Sequence, residues 1–304
     1  MMRTGLRLAV SLCLAVAAAV AHAQTAGTPE APQVPDMQIG ASEAAAPDAP
    51  TPAADAAPPP QAGPAPHVAP PLVAGPVRNV VLVHGAFVDG SSWNGVVALL
   101  QKKGFRVSAV QNPLTSLEDD VAATRRVLAR QDGPTILVGH SWGGVVITEL
   151  GDEPKVVGLV YVAAIAPNTG ESTMALLKRG GPMPAGAGIK PDDSGFLWLD
   201  PSNYRTDFAG DIPERLARVL AAAQQPVSAH AFDETVTHVG WKSKPSWYIV
   251  TSKDRAVAPD LQRYMANRAG ANIIEISSSH LAPVSHAAAV AAVIEQAAKM
   301  IEKH

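Results

Sequence analysis

Cysteine is almost missing from this sequence of 304 residues, because Cys13 is the only one. It lies in the apolar run 8–20, which follows Arg3 and Arg7 and precedes Ala21-His22-Ala23, a small-residue cleavage pattern. This arrangement predicts a secretory signal peptide, residues 1–23, and an exported protein, periplasmic or secreted. A mature chain without thiols has no disulfide, no cysteine nucleophile and no zinc–thiolate site.

Lysine and arginine are absent from residues 8–77, and large apolar residues are few after the leader. Residues 24–78 are mainly Ala, Pro, Gly and Thr, with runs such as Pro58-Pro59-Pro60. Repeated prolines favour extended polyproline geometry, and so little apolar surface cannot offset the entropy of ordering the chain. The sequence therefore predicts a disordered Ala/Pro-rich linker over residues 24–78.

Long hydrophobic runs and basic clusters are lacking beyond the leader. A retained membrane anchor at residues 1–23 stays open as an alternative, but the mature chain is predicted to have no stable membrane span. Loss of Arg3 and Arg7 makes the mature chain two charges more negative than the formal −3 of the whole sequence. A mildly acidic chain of this kind argues against nucleic acid and anionic membranes as partners. Its oligomeric state is not predicted.

A folded domain is predicted over residues 79–304, where short apolar strands alternate with helical segments. Strands that are almost continuously apolar indicate an α/β fold with a mostly parallel sheet and helices on both faces. The alternation of strands and helices is interrupted at about residues 167–244, which are rich in turn signals and aromatic residues. An insertion of that size predicts a lid over the carboxyl edge of the sheet. The predicted strands are 80–83, 105–110, 135–138, 156–164, 247–251 and 272–276.

The most informative stretch is Gly139-His140-Ser141-Trp142-Gly143, which follows one predicted strand and precedes an apolar helix. It matches the G-x-S-x-G nucleophile elbow. The strand must reverse sharply into a helix, so a Cβ at Gly139 or Gly143 would collide with the turn. The pattern therefore predicts Ser141 as an exposed nucleophile at the tip of the turn.

A serine nucleophile needs a histidine base and a carboxylate that holds the base. Asp254 and His280 follow the next two predicted strands in the order Ser, acid, His, so all three are expected at one edge of the sheet. His286 as the base, and Asp260 or Asp233 as the acid, stay open as weaker alternatives. Four other histidines are assigned elsewhere: His84 to backbone hydrogen bonding, His140 to packing, and His230 and His238 to the surface or to substrate contact.

The remaining requirement is a pair of N–H donors for an oxyanion. The N–H groups of Trp142 and of Ala86, in the loop after the first strand of the domain, are the candidates. Phe87, Trp142 and Trp198 are expected to line an apolar substrate pocket, and packing is the alternative for each of them.

Together, four groups of residues resemble the α/β-hydrolase superfamily over residue 79 to the C-terminus. Within it, the run from His84 to Trp93 is similar to small-ester carboxylesterases, salicylate-binding protein 2-like methyl-ester hydrolases and hydroxynitrile lyases. The resemblance implies Ser141, Asp254 and His280 as a catalytic triad and Ala86 and Trp142 as the oxyanion hole. The four groups are Val83-His84-Gly85-Ala86, Gly139-His140-Ser141-Trp142-Gly143-Gly144, Asp254 and Ser279-His280.

Departures from the family patterns narrow the expected function. Plant hydroxynitrile lyases of this branch have threonine and lysine where this chain has Gly85 and Leu281, which favours an esterase. The sequence thus predicts a serine carboxylic-ester hydrolase that acts through an acyl-enzyme on small or medium, partly apolar esters. No metal or cofactor is required. A cofactor-free haloperoxidase or perhydrolase, a lyase, and a non-catalytic ligand-binding protein on the same scaffold stay open.

Overall fold

A computed structural model of the protein describes residues 75–303. The predicted signal peptide and almost all of the predicted linker lie outside the described residues. The strands are β1 (Asn79–Val83), β2 (Arg106–Ala109), β3 (Thr135–His140), β4 (Val156–Val162), β5 (Ile189–Pro191), β6 (Phe196–Leu199), β7 (Val227–Ser228), β8 (Ser246–Thr251) and β9 (Asn272–Ile276). The α-helices are α1 (Asn94–Lys102), α2 (Leu117–Ala129), α3 (Gly143–Leu150), α4 (Thr173–Gly180), α5 (Pro184–Gly188), α6 (Pro201–Asn203), α7 (Glu214–Ala222), α8 (Pro259–Arg268), α9 (Ala282–Ser285) and α10 (Ala287–Ile301).

Six strands form one parallel sheet in the order β2-β1-β3-β4-β8-β9. The predicted α/β architecture is confirmed, and each of these strands lies where a strand was predicted. Since parallel strands end at a common edge, the segments after β1, β3, β8 and β9 all emerge on the same side. This edge receives every residue that the sequence proposed for the triad.

Alternate residues of each central strand enter two separate apolar layers. In β1, Val81 and Val83 belong to one layer, while Val80 and Leu82 belong to the other. Helices α1 and α10 cover the second layer, and α2, α3 and α8 cover the first. Burial on both faces explains why the strands are apolar at nearly every position.

The segment between β4 and β8, residues 167–244, is referred to as the insertion. It contains α4–α7 and a small antiparallel sheet in the order β5-β6-β7. The sequence analysis did not predict this sheet, because its strands have only three, four and two residues. Within residues 75–303, no helix has both the length and the apolar character needed to cross a membrane.

The far end of the insertion docks on α3 through two facing glycines. A Cβ built on Gly151 would lie 2.4 Å from Gly240 Cα, and one built on Gly240 would lie 2.3 Å from Gly151 Cα. Backbone atoms on both sides leave no flexible side chain that could move aside. Nearby, Trp241 Nε1 donates to Pro167 O at 2.9 Å and ties the two ends of the insertion together.

We expect Gly151→Ala to lower the free energy of unfolding by about 1–3 kcal/mol, because the added methyl must push two backbones apart. Gly186→Ala is the matched control, since a Cβ there meets no atom within 4 Å and alanine should stabilise the helix by about 0.4–1 kcal/mol. Urea denaturation measures both changes, provided that the slope of unfolding free energy against urea concentration is the same for each variant as for the wild type. Equal stabilities of the two variants would contradict the close backbone approach.

Candidate active site

The turn that carries Ser141 adopts a backbone conformation that residues with a side chain rarely occupy. Ser141 has a φ of +52° at the junction of β3 and α3. Its N–H donates to Val162 O at 3.2 Å, and its carbonyl accepts from Gly144 N and Ile165 N, both at 3.0 Å. These bonds to the end of β4 and the loop after it hold the strained turn in place.

The two glycines that flank the turn are required by backbone contacts. A Cβ on Gly139 would lie 2.5 Å from Gly143 O, within the turn itself. A Cβ on Gly143 would lie 2.3 Å from Val83 O, at the end of β1. The predicted clash with the turn is therefore confirmed for Gly139. At Gly143 the clash is instead with the end of β1, so this glycine lets the start of α3 approach the neighbouring strand.

Asp254 and His280 meet in the buried space beneath this edge of the sheet. Their atoms Oδ2 and Nδ1 are 2.7 Å apart, and the side chains are 0% and 1% exposed. Because an ionised carboxylate can only accept, this contact assigns the proton to Nδ1 in the neutral ring. Nε2 is then left with a lone pair, which is the form that a general base requires.

The carboxylate of Asp254 is held from several sides. Oδ1 accepts from the backbone N–H groups of Ala256 and Val257 at 2.8 and 2.9 Å. Oδ2 accepts from Thr251 Oγ1 at 2.9 Å and from Gln262 Nε2 at 2.8 Å. Gln262 lies on α8, and sequence reasoning missed it because an amide on a helix carries no pattern of its own. Its bonds fix the plane of the carboxylate that faces His280.

His140 links the loop of Ser141 to the loop of His280. Its Nε2 lies 3.0 Å from His280 O, and the two rings are 4.8 Å apart. Burial, with the nearby His280, lowers the pKa of His140 well below its usual range, so the ring is neutral and Nε2–H is the donor. The partly exposed Ser141 makes no side-chain hydrogen bond within residues 75–303. In enzymes without bound substrate, the hydrogen bond between a catalytic serine and its histidine is often long and shortens only when substrate binds.

The peptide groups that bear the two candidate oxyanion donors are each fixed from the opposite side. His84 Nδ1 donates to Gly85 O at 2.8 Å, and Gly85 O belongs to the same peptide group as the Ala86 N–H. Ser141 O, in the peptide group of the Trp142 N–H, accepts the two bonds already described. In a trans peptide N–H and C=O point in opposite directions, so the bonds to these two carbonyls also fix the directions of the Ala86 and Trp142 N–H groups. Neither N–H donates a hydrogen bond within residues 75–303. Burial lowers the pKa of His84, which keeps its ring neutral, as the predicted backbone role requires.

The three aromatic residues proposed for substrate contact lie in different surroundings. Phe87 is buried, with a φ of +63°, and its ring meets the ring of Phe208 edge-on at 6.1 Å. The Trp142 ring is 5.5 Å from Phe232. Trp198 lies at the surface of the insertion, 39% exposed, and donates to Asp192. The ring beside His280, at 4.8 Å, belongs instead to Phe208, which the sequence marked only as one of several aromatics in the insertion.

The rival acids and bases occupy other positions. His286 lies between α9 and α10, with Nδ1 3.4 Å from Asp211, and Asp260 pairs with Arg263 at the surface. His230 and His238 are mostly exposed beside Glu234 and Glu149, and Asp233 is exposed. The hydrogen bond from a histidine to Asp254 comes from His280.

Asp120, which the sequence did not single out, supports the Trp142 side of the site from α2. Its two oxygens accept from Trp142 Nε1 at 2.7 Å and from Leu114 N at 2.8 Å, where Leu114 has a φ of +58°. Burial outweighs these two donors and raises the pKa of Asp120 to about 6. The carboxyl group therefore changes charge within the mildly acidic range.

Comparisons with known proteins agree with this architecture. A model of the alpha/beta hydrolase family matches residues 80–293. The alpha/beta hydrolase nvfD of Aspergillus novofumigatus is 26% identical over 243 residues, 72% of this chain and 96% of that protein. A carbendazim hydrolyzing esterase of Nocardioides is 41% identical over 115 residues, 33% of this chain and 48% of that protein.

A solved structure of another hydrolase is also similar to this chain in its fold. The crystal structure of a pyrethroid hydrolase from Sphingobium faniae JZ-2 matches with a TM-score of 0.65 and 26% identity. The match covers 75% of this chain and all of the other. The similarity therefore extends over the sheet, the covering helices and the edge that carries the candidate residues.

The pKa of Asp120 predicts how stability depends on pH. Its folded pKa of about 6 exceeds the ordinary 3.8, so the folded state favours the protonated carboxyl, and this contribution is lost as pH rises through about 6. Relative to Asp120→Asn, the wild type should lose up to about 3 kcal/mol of unfolding free energy between about pH 4 and pH 7. Urea denaturation across that range measures the loss.

Asp119→Asn is the matched control, because the exposed Asp119 has a pKa lowered by hydrogen bonds from Thr115 and Ser116. Its contribution should therefore have the opposite sign and be lost as pH falls. A stability difference between the wild type and Asp120→Asn that does not change with pH would contradict the raised pKa of Asp120.

Proposed function

The chain belongs to the alpha/beta hydrolase family, and from that premise we propose that it is a serine carboxylesterase. The proposed reaction is hydrolysis of small or medium, partly apolar esters through an acyl-enzyme. The observation that carries it is the buried 2.7 Å bond between His280 Nδ1 and Asp254, beside a strained elbow serine. The esterase and the pyrethroid hydrolase among its relatives support ester hydrolysis as the class of reaction.

In the first half-reaction, His280 Nε2 takes the proton of the Ser141 hydroxyl as the oxygen attacks the ester carbonyl carbon. Asp254 stabilises the imidazolium that forms and keeps the ring in its tautomer. The carbonyl oxygen becomes an oxyanion that accepts from the N–H groups of Ala86 and Trp142. Because both peptide groups are already oriented, little reorganisation is needed when the charge develops.

Collapse of the tetrahedral intermediate breaks the bond to the alcohol, which leaves with the proton that His280 returns. The acyl group then remains on Ser141 Oγ as an ester. A water molecule gives its proton to His280 and attacks this ester, and the second collapse releases the carboxylic acid and restores the serine hydroxyl. No group beyond these residues and water enters the balance.

The surroundings of the site favour an apolar substrate group. Phe208 lies against the ring of His280, and Phe87 packs on Phe208. Both rings are almost fully buried, so a substrate group in this space would exchange water for aromatic contact. We assign Phe87 and Phe208 to this pocket and give Trp142 its part through the backbone N–H.

Two positions argue against a lyase of the hydroxynitrile type. A Cβ at Gly85 would lie 2.7 Å from Ser141 Cβ, so a threonine at this position would have to displace the nucleophile. Leu281 is fully buried, and a lysine there would place an ammonium group in an apolar layer. The same geometry remains compatible with perhydrolysis, which uses the same triad with peroxide in place of water.

The N-terminal sequence supports export as a further part of the proposal. Mass spectrometry of the protein made in its native cell should find a mature N-terminus at Gln24, because Ala21-His22-Ala23 has the small residues that signal peptidase requires. Ala23→Arg should block this cleavage, while Ala54→Arg in the predicted linker should leave it unchanged. Recovery of the intact N-terminus in the wild type would contradict processing.

The catalytic proposal predicts that Ser141→Ala lowers kcat/KM for p-nitrophenyl esters by about a millionfold, because the nucleophile is lost. Ser91→Ala is the matched control, since Ser91 is an exposed serine that bonds to Asp89. A fluorophosphonate should label the wild type and the control but not Ser141→Ala. Equal ester turnover by the two variants would exclude an acyl-enzyme on Ser141.

The same preparations separate the alternatives. A perhydrolase would turn over peroxide and a carboxylic acid faster than it hydrolyses any ester in an acyl-chain series. A lyase would cleave cyanohydrins in preference to esters. A ligand-binding protein would show neither turnover nor fluorophosphonate labelling.

A further inference from the structure

One short segment of the insertion, residues 204–211, contacts three of the loops that the proposed mechanism uses: those of Ala86, Asp254 and His280. It begins with a π-helix, Tyr204–Phe208, a rare element that is often found at functional sites. We propose that this segment, called the strap, holds the oxyanion, acid and base loops in their working positions. Tyr204, Asp207 and Asp211 are the positioning residues, and the inference rests on the proposed function.

The first anchor reaches the oxyanion loop. Tyr204 is fully buried, and its hydroxyl donates to Phe87 O at 3.0 Å. Burial raises the pKa of Tyr204 above its usual value, so the hydroxyl remains a donor throughout the working pH range. Phe87 N also donates to Gln225 O at 3.1 Å, again within the insertion. The residue directly after the Ala86 donor, strained at a φ of +63°, is thus held on both sides by the insertion.

The second anchor reaches the loop of the acid. Arg255, the residue after Asp254, directs Nε to Asp207 Oδ1 at 3.0 Å and a second guanidinium nitrogen to the same oxygen at 2.9 Å. The Asp207 side chain is only 8% exposed, and Asn203 Nδ2 donates to its other oxygen at 3.2 Å. A largely buried carboxylate bound to a guanidinium in this way resists displacement, because separation would leave its charge unpaired.

The third anchor reaches the loop of the base. Asp211 accepts from Ser279 N at 3.0 Å and from the Ser279 hydroxyl, and Ser279 directly precedes His280. Burial alone would raise the pKa of Asp211, but hydrogen bonds from Ser279, Ser278 and Ser285 together outweigh it and lower the pKa, so the group stays ionised. Between the anchors, Phe208 lies on the His280 ring. The backbone of His280 is therefore held from the strap on one side and by His140 on the other.

Through these contacts the strap holds the loops of the proposed catalytic groups in position, in addition to covering His280 with Phe208. Each anchor fastens a different loop, and each loop carries a different member of the machinery. The acid and base loops also bond directly to each other, from Lys253 N to Ser278 O at 3.1 Å, and the strap joins the oxyanion loop to this pair. A strap that only stabilised the insertion would not need a polar contact with each of them.

The test compares two strap variants with two matched controls. Tyr204→Phe removes the hydroxyl from Phe87, and Tyr161→Phe removes an equally buried hydroxyl that bonds to Thr148 in the core. Asp211→Asn weakens the hold on Ser279, and Asp192→Asn removes the same charge from an exposed aspartate whose bonds stay within the insertion. Melting temperatures of all four are measured with the kinetics.

We expect both strap variants to lower kcat about tenfold with KM changed less than about twofold, because they disturb alignment more than binding. Asp211→Asn should also move the acid limb of the pH–rate profile, since it acts through His280, whereas Tyr204→Phe should not. The controls should lose stability to a similar extent but keep kcat. Equal kcat values in strap and control variants would overturn the inference.

Failure of the proposed function gives a different result. In that case the wild type itself shows no ester turnover and no fluorophosphonate labelling. Amide hydrogen exchange then tests the strap directly, because residues 84–88 should exchange faster in Tyr204→Phe, and residues 278–281 in Asp211→Asn, than in the matched controls. Unchanged exchange in these loops would overturn the inference whatever the reaction proves to be.

Discussion

The left-handed backbone at Ser141 is the constraint on which the rest of the site depends. A residue with a Cβ at a φ of +52° is stable only where its surroundings leave no alternative. Here Val162 at the end of β4 and Ile165 in the loop after it each make one hydrogen bond to Ser141, Gly144 within the turn makes a third, and the missing side chains of Gly139 and Gly143 supply the space. The same turn fixes the peptide group of the Trp142 N–H, so the proposed nucleophile and one proposed oxyanion donor are set by one local conformation.

Burial gives the two inner histidines of the site, His84 and His140, a fixed protonation state and a fixed hydrogen-bond direction. Both rings are neutral because a charged ring would be desolvated, and each donates its single N–H to a backbone carbonyl: His84 to Gly85 O in its own loop, and His140 to His280 O in the loop of the proposed base. Asp254 is surrounded by donors that leave its carboxylate one orientation. In a low-dielectric interior such satisfied networks are rigid, and an unpaired member would be costly.

The fold, and the positions of Ser141, Asp254 and His280 at one edge of the sheet, could be predicted because their signals are local. Strands buried on both faces are apolar runs, and Ser141, Asp254 and His280 each follow one of them. Gln262, Asp120, Tyr204 and Asp211 could not be predicted, since each is an ordinary polar residue whose partner is distant in sequence or carries no motif. The antiparallel sheet β5-β6-β7 was missed for a similar reason, because strands of two to four residues have too few positions for a period of two. Trp198 shows the opposite failure, as an aromatic residue in a promising segment that the fold leaves at the surface.

Under the proposed function, the insertion affects both substrate selectivity and turnover, two properties that are usually treated as separable. Its aromatic residue Phe208 packs against the ring of His280, and its polar residues bond to the loops that carry the proposed oxyanion donor Ala86 and the proposed base. Chimeras that exchange the insertion between family members would change selectivity and turnover together. The exchanged insertion would bring different polar contacts with the loops, or would lack them. Evolution toward a new ester is therefore easier at Phe208 and its neighbours than by wholesale replacement of the segment.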